Sequence, residues 1–240
     1  GYEETTVSTE RDTEAVFETI KSFVDDYNKM IEKLNGYVYA EPTYREYAPL
    51  TEAQRDEMTE SQIEKWEEKS KQGLLYGDST IRGFLQNMRS ALYTRSNTSE
   101  IALYNIGIET SSNMDDKGKL VIDEEKLKEA LATNMEEVEK LFVGENGLSS
   151  KLTKIMDNAA KVSSATPGEL VRMAGAKESK ATQTNSTLAF ELKRIDERIS
   201  LLNTRYNKEK DRYWKQFNAM ETIISNYSSQ SAYLGQQFTY

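Results

Sequence analysis

One turn in the sequence carries oxygen-bearing side chains at a spacing that could hold a metal ion. Between Asn113 and Glu124, residues Asp115, Gly118 and Glu124 occupy the third, sixth and twelfth places of a calcium-binding loop of the EF-hand type. Lys117, however, stands where such a loop needs an oxygen ligand, and the flanking residues alternate like strands. We therefore interpret the segment as a plain hairpin turn without a metal, followed by acids that stabilise the start of a helix.

The side chains on which most active sites depend are missing from the sequence. It contains no cysteine and no histidine, which excludes disulfides, thiolate and imidazole metal ligands, and the commonest general base near neutral pH. No phosphate-binding loop or nucleophile elbow is present. A hydrolase that uses carboxylates stays open as a rival, but no apolar pocket pattern would raise the pKa of one of the many acids. The sequence predicts a protein that is not an enzyme and needs no cofactor.

The charge balance argues against a nucleic-acid partner. The 31 basic and 40 acidic side chains give a net charge of -9, which would repel a phosphate backbone over most of the surface. No apolar run approaches the length of a membrane span, so we expect no membrane insertion. Residues 1–10 show no basic segment followed by an apolar stretch, so no cleavable signal peptide is expected either.

The N-terminal part of the chain predicts a strand, a helix and a loop. Residues 3–9 favour a strand whose partner is absent from the chain. Asp12 can cap a helix that ends at Gly36, because apolar residues recur between them in steps of three and four. Residues 37–50 hold four tyrosines and two prolines, and predict an ordered loop or short strands packed on the helical body.

The middle of the chain predicts further helices around one β-hairpin. The expected elements are, in order, a helix over Thr51 to Gly73, a helix capped by Asp78 or Ser79 that buries Ile81, Leu85, Met88 and Leu92, a hairpin within residues 101–122, a helix capped by Asp123, a short helix ended by Gly144, a helix over Leu148 to Val162, and a linker over Ser163 to Gly175.

The final segment has the apolar spacing of a coiled coil. A continuous helix from Gln183 to Phe238 would be about 84 Å long at 1.5 Å per residue. Apolar residues recur along it in alternating steps of four and three, with charged residues outside this seam. The seam residues, which are the candidate partner-binding site, are Leu188, Leu192, Ile195, Ile199, Leu202, Tyr206, Tyr213, Phe217, Met220, Ile224, Tyr227 and Leu234.

The seam changes phase near its middle. Glu209 occupies a seam position, and the following steps to Tyr213 and Phe217 are both four, which is a stutter that locally unwinds a left-handed supercoil. We expect the half from Leu188 to Tyr206 to rest against the helix at Val16 to Leu34, whose spacing matches it. The half beyond Tyr213 is expected to be ordered only by a partner.

Two groups of aromatic residues could mark a contact with another protein. Trp66 stands among charged residues on an amphipathic helix, where a tryptophan is more often part of the core, so we interpret it as structural. Tyr37, Tyr39, Tyr44 and Tyr47 belong to a residue type that is favoured at interfaces but also packs loops, so both interpretations stay open.

Several sequence blocks occur in the order expected of one known family. They are Phe-Val-Asp-Asp-Tyr-Asn (23–28), Pro-Leu-Thr (49–51), Ile-Glu-Lys-Trp-Glu-Glu-Lys-Ser-Lys-Gln-Gly-Leu-Leu (63–75), Asp-Ser-Thr (78–80), Gly-Ile (107–108), Asp-Glu-Glu-Lys-Leu-Lys-Glu-Ala-Leu (123–131) and the tail from 212 to 234. These blocks resemble the C-terminal region of flagellar hook-associated protein 2, the filament cap family. The resemblance runs from about residue 12 to residue 238.

The pattern and the resemblance together imply a mainly α fold, a helical bundle with a long C-terminal coiled-coil helix and a small β-hairpin. Residues 1–11 are expected to end a strand from an outer domain that the chain lacks. Residues 12–180 would form the helical body, with the hairpin near 104–122, and residues 181–240 the coiled-coil helix. In the family, N-terminal helices return to pair with this C-terminal coiled coil.

The resemblance also implies a function in motility. The expected protein is a structural assembly factor that caps the filament at the tip of the bacterial flagellum, promotes the folding and insertion of flagellin and prevents its leakage. The alternative is a surface adhesin carried at the flagellar tip. The implied partners are further copies in a ring homo-oligomer, flagellin, hook-filament junction proteins, and an export chaperone that binds the C-terminal helix. The implied location is extracellular, after secretion in an unfolded state through the flagellar channel.

Overall fold

The computed structural model describes residues 12–93, 101–144 and 146–237, and the chain divides into two compact units. The first unit comprises residues 1–161 and 166–170, and the second comprises residues 162–165 and 171–240. The fold is mainly α with one small antiparallel sheet, which confirms the predicted fold class. The strand expected over residues 3–9 lies outside the described residues.

Nine α-helices and two strands are assigned in the described part of the chain. They are α1 (Thr13–Tyr39), α2 (Glu52–Asp56), α3 (Glu60–Lys71), α4 (Ser79–Tyr93), β1 (Ile108–Thr110), β2 (Leu120–Ile122), α5 (Glu124–Phe142), α6 (Leu148–Ala160), α7 (Glu169–Ala174), α8 (Lys180–Thr184) and α9 (Thr187–Gln237). None of these helices combines the length and the apolar character that crossing a membrane requires.

Aspartate side chains start three of the helices, as the sequence predicts. The backbone N–H of Ala15 donates to Asp12 Oδ1 at 3.0 Å, and that of Lys126 donates to Asp123 Oδ1 at 3.2 Å. Asp78 rather than Ser79 caps α4, because it accepts from the N–H of Ile81 at 2.9 Å. Each such cap satisfies a backbone donor that the helix itself cannot pair.

The predicted end of α1 at Gly36 is wrong, because the helix continues to Tyr39. Its last turns bury Asn35 and place Val38 fully out of solvent, at 0% exposure. Burial of this kind outweighs the roughly 1 kcal/mol that a glycine costs inside a helix. Tyr37 and Tyr39 therefore lie on α1 and not in a loop.

Three other predicted boundaries also differ in the structure. The helix expected from Thr51 to Gly73 is divided into α2 and α3, because Thr59 starts a new helix in a reciprocal pair with Gln62. The linker expected over residues 163–175 contains α7. The long C-terminal helix begins at Thr187 and not at Gln183, since Ser186 Oγ accepts from the N–H of Ala189 at 3.2 Å.

The core of the first unit lies between α1, α4, α5, α6 and the hairpin. Phe17, Leu127 and Leu152 are each at most 2% exposed, and the ring of Phe23 meets that of Phe142 edge-on at 6.0 Å. Fully burying such a side chain contributes about 1.5–3 kcal/mol. The core of α4 includes Phe84, which the sequence pattern missed.

The hairpin is fixed to α1 as well as to itself. Ile108 pairs with Ile122, which confirms the predicted β-hairpin. Leu120 is buried, and its backbone forms two hydrogen bonds with the side chain of Asn28. The bundle and the small sheet thus share one core.

Candidate partner-binding face of the C-terminal helix

Helix α9 is the largest element in the structure's described part. It has 51 residues and, at 1.5 Å per residue, is about 77 Å long. Ser186 is buried and caps the helix, and the short helix α8 packs against its first turns. From residue 191 to residue 235, every residue is exposed.

All twelve predicted seam residues lie on α9 and are at least half exposed. At 100° per residue, they fall within an arc of about 120° around the helix. Their exposed fractions range from 50% for Ile195 to 68% for Tyr227. The structure therefore places the seam on one continuous, uncovered face of α9.

That the half of the seam from Leu188 to Tyr206 rests against α1 stays a prediction. The side chains from Leu188 to Tyr206 are as exposed as those from Tyr213 to Leu234. The apolar stripe of α1 packs against α4, α5 and β2.

The sequence pattern missed Trp214, which widens the seam near its phase change. Trp214 is 57% exposed and its ring meets that of Phe217 edge-on at 6.3 Å. Together with Tyr206 and Tyr213 they line an open hollow of about 610 Å³ on the helix surface. A stutter shifts the apolar positions around the helix axis. The step of three from Trp214 to Phe217 was the sequence signal that could have placed Trp214 beside the seam.

The polar seam position is part of an exposed charged group. Glu209 Oε2 accepts from Arg212 Nη2 at 3.3 Å, and the Arg212 guanidinium lies 5.0 Å from the centre of the Tyr213 ring. A pair this exposed contributes little to stability. Its charge nevertheless divides the apolar face, because Leu188 to Tyr206 lie on one side of it and Tyr213 to Leu234 on the other.

The acidic residues of the hairpin turn do not converge on a common point. Asp116 shares a hydrogen bond with Ser111, and Glu124 pairs with Lys21 at 2.9 Å. In the residues that the structure describes, no group of three or more acids could hold a metal ion. The hydrogen bond from Lys21 lowers the pKa of Glu124, and the N–H of Lys126 lowers the pKa of Asp123.

The aromatic residues of the first unit have mixed surroundings. Trp66 is partly buried, donates its indole N–H to the carbonyl oxygen of Ala48 at 2.8 Å, and meets the ring of Tyr47 edge-on at 5.0 Å. Tyr37 and Tyr44 are each 46% exposed. Trp66 thus packs against the loop between α1 and α2, while these two tyrosines remain available for contact.

Comparison with known proteins gives consistent matches. The family described as flagellar hook-associated protein 2 C-terminus matches residues 1–229. Flagellar hook-associated protein 2 of Halalkalibacterium halodurans is 34% identical over 257 residues, which cover 99% of this chain and 47% of that protein. The protein of the same name from Thermotoga maritima is 30% identical over 237 residues, which cover 96% of this chain and 34% of that protein.

One solved structure is also similar. The crystal structure of the flagellar cap protein FliD D1-D2-D3 domains from Escherichia coli is 24% identical, with a TM-score of 0.43 over 62% of this chain and 33% of that one. The chain spans 47% and 34% of the lengths of the two relatives from Halalkalibacterium halodurans and Thermotoga maritima. Because the family match extends over residues 1–229, the chain belongs to the flagellar hook-associated protein 2 family and corresponds to its C-terminal region.

Proposed function

We propose that this chain is the C-terminal part of a filament cap at the tip of the bacterial flagellum. It acts there as a structural assembly factor, without a catalytic step, which promotes the folding and insertion of flagellin and prevents its leakage. The observation that carries the proposal is the uncovered apolar face of α9 in a chain of this family.

The energetics of α9 support a role in binding other helices. An isolated amphipathic helix is marginally stable in water, and its exposed apolar side chains each gain about 1.5–3 kcal/mol when fully buried. The seam of twelve such residues has the spacing that coiled coils use. The face of α9 is therefore a site for partner helices, first of an export chaperone and then of the N-terminal part of the same protein.

The remaining partners follow from the position of a cap. Further copies of the protein would form a ring, which contacts flagellin during filament growth and hook-filament junction proteins before it. The protein would reach the extracellular tip unfolded, through the flagellar secretion channel. The absence of cysteine suits such export, because a disulfide would obstruct passage of an unfolded chain.

The test is deletion of the gene followed by measurement of filament length and of flagellin in the culture medium. We expect short or absent filaments and flagellin lost to the medium, with both defects reversed by the intact gene. A strain that still builds long filaments and keeps its flagellin would overturn the proposal. Immunogold labelling of intact cells should place the protein at filament tips.

A further inference from the structure

An open hollow of about 500 Å³ lies where α1, α4 and the turn between β1 and β2 meet. None of its lining residues belongs to α9. Three of its lining side chains are cationic and none is a carboxylate, although the chain as a whole has a net charge of -9. The cationic residues are Arg82 and Arg89 of α4 and Lys117 of the turn.

Two of these cations share one aromatic ring. The Arg82 guanidinium carbon lies 5.4 Å, and Lys117 Nζ 4.0 Å, from the centre of the Tyr39 ring. Such contacts contribute about 0.5–1 kcal/mol each at exposed sites and hold both side chains at the hollow. They leave the N–H donors of both groups free to bind an anion.

Two acids that are next in sequence to lining residues of the hollow have other partners. Glu32 accepts from Lys119 Nζ at 2.9 Å, and Asp116 shares its hydrogen bond with Ser111. In the described part of the chain, no carboxylate forms an ion pair with any of the three cations. Among the described residues, their charge is therefore not neutralised by an ion pair.

The position of Lys117 is fixed by its backbone. Its φ of 47° is the one positive φ of a non-glycine residue in the described ranges, and the buried side chain of Asn35 donates to its carbonyl oxygen at 3.1 Å. This conformation costs a residue with a Cβ about 1–2 kcal/mol. The core thus holds the turn in the shape that places the ammonium group beside Tyr39.

The spacing of the cations selects the kind of ligand. Arg82 and Arg89 are seven residues apart on α4, so their positions differ by about 10 Å along the helix axis. Two carboxylates seven residues apart on a helix, or three apart on an extended chain, are separated by about the same 10 Å. Arginine binds carboxylates in a bidentate geometry, which suits such a ligand.

We propose that this hollow binds an acidic segment of another protein chain. One Asp or Glu side chain of that segment lies between Arg82 and Lys117 beside Tyr39, and a second lies at Arg89.

The test uses a fluorescent peptide with glutamates at every third position and a matched peptide with glutamines, each titrated into the whole chain by anisotropy. We expect the double variant Arg82→Gln, Lys117→Gln to bind the glutamate peptide about tenfold more weakly, because hydrogen bonds to charged groups are lost. The control variant Lys65→Gln, Lys154→Gln removes the same charge elsewhere and should bind like the parent. All four side chains are exposed, so both variants should fold.

Three results would overturn the proposal. They are equal weakening in the control variant, equal binding of the glutamine peptide, and full displacement of the glutamate peptide by inorganic phosphate at matched ionic strength. Self-association of the parent chain that is lost only in the Arg82→Gln, Lys117→Gln variant would support it, and would identify the acidic segment as part of a second copy.

Discussion

The side chain of Asn28 on α1 forms hydrogen bonds with both backbone groups of Leu120, the N–H and the carbonyl oxygen. Its Oδ1 accepts from the Leu120 N–H at 2.7 Å, and its Nδ2 donates to the Leu120 carbonyl oxygen at 2.8 Å. The side-chain amide thus takes the place of a third strand beside β2. A helix, and not another strand, completes this edge of the sheet.

Replacing Asn28 with Ala should destabilise the protein by about 1–3 kcal/mol, because the buried backbone groups of Leu120 lose their partners. Urea unfolding of both proteins gives this difference. Asn158→Ala removes an exposed amide and is the control, with an expected change within about 0.5 kcal/mol. Equal free energies of unfolding for the two variants would show that the bonds of Asn28 contribute nothing.

Two phenylalanines on different helices should respond differently to truncation. Phe17 of α1 is 2% exposed and Phe190 of α9 is 58% exposed. Phe17→Ala should lower the free energy of unfolding by about 3–5 kcal/mol, because it leaves a cavity in the core. Phe190→Ala should change it by less than about 0.5 kcal/mol in the isolated chain. Thermal unfolding followed by circular dichroism measures both changes. A larger loss of stability in Phe190→Ala than in Phe17→Ala would contradict this prediction.

Acid should weaken the start of α5. The pKa values of Asp123 and Glu124 are lowered in the folded protein, chiefly by the Lys126 N–H and by Lys21 respectively. A lowered pKa in the folded state contributes stability that is present above the unfolded value and lost as the pH falls through the folded value. We expect stability to decline as the pH drops below about 4.

The double variant Asp123→Asn, Glu124→Gln should show a flatter dependence of stability on pH in this range. Asp157→Asn changes another exposed carboxyl and is the control. The free energy of unfolding, measured by urea at several pH values, makes the comparison. Identical slopes for the parent and the double variant would contradict the assignment.

Local patterns in the sequence predicted the elements that local interactions determine. The caps at Asp12 and Asp123 and the β-hairpin within residues 101–122 depend on neighbouring residues, and all three are confirmed. The end of α1 was wrong because burial of Val38 is a tertiary effect that no pattern around Gly36 reveals.

The same distinction between local and tertiary effects applies to the apolar face of α9. Its apolar residues were predicted because helical spacing is visible in the sequence. Exposure of the half beyond Tyr213 was predicted as well, whereas the partner of the half from Leu188 to Tyr206 depends on tertiary packing that no local pattern reveals. Trp214 was missed because the pattern was followed only along the seam.

Because the two halves of the seam are equally exposed, they should respond equally to solvent. Hydrogen exchange on the dilute chain should show amides of residues 191–206 and 213–235 exchanging at similar rates, both faster than amides of α1 and α5. Addition of a partner helix should protect both halves. Strong protection of residues 191–206 alone in the dilute chain would mean that this half has an internal partner.

Charges placed on the seam should abolish binding without unfolding the first unit. Ile224→Asp, Leu234→Asp introduces two carboxylates into the apolar face, where burial of an unpaired charge is costly, and should abolish chaperone binding and filament capping. Asn218→Asp, Ser229→Asp adds the same charge away from the seam on α9 and is the matched control. Both variants should keep the urea midpoint of the parent, because every altered side chain is exposed. Complemented deletion strains report capping by filament length, and normal filaments with the seam variant would show that this face of α9 is not the one that partners bind.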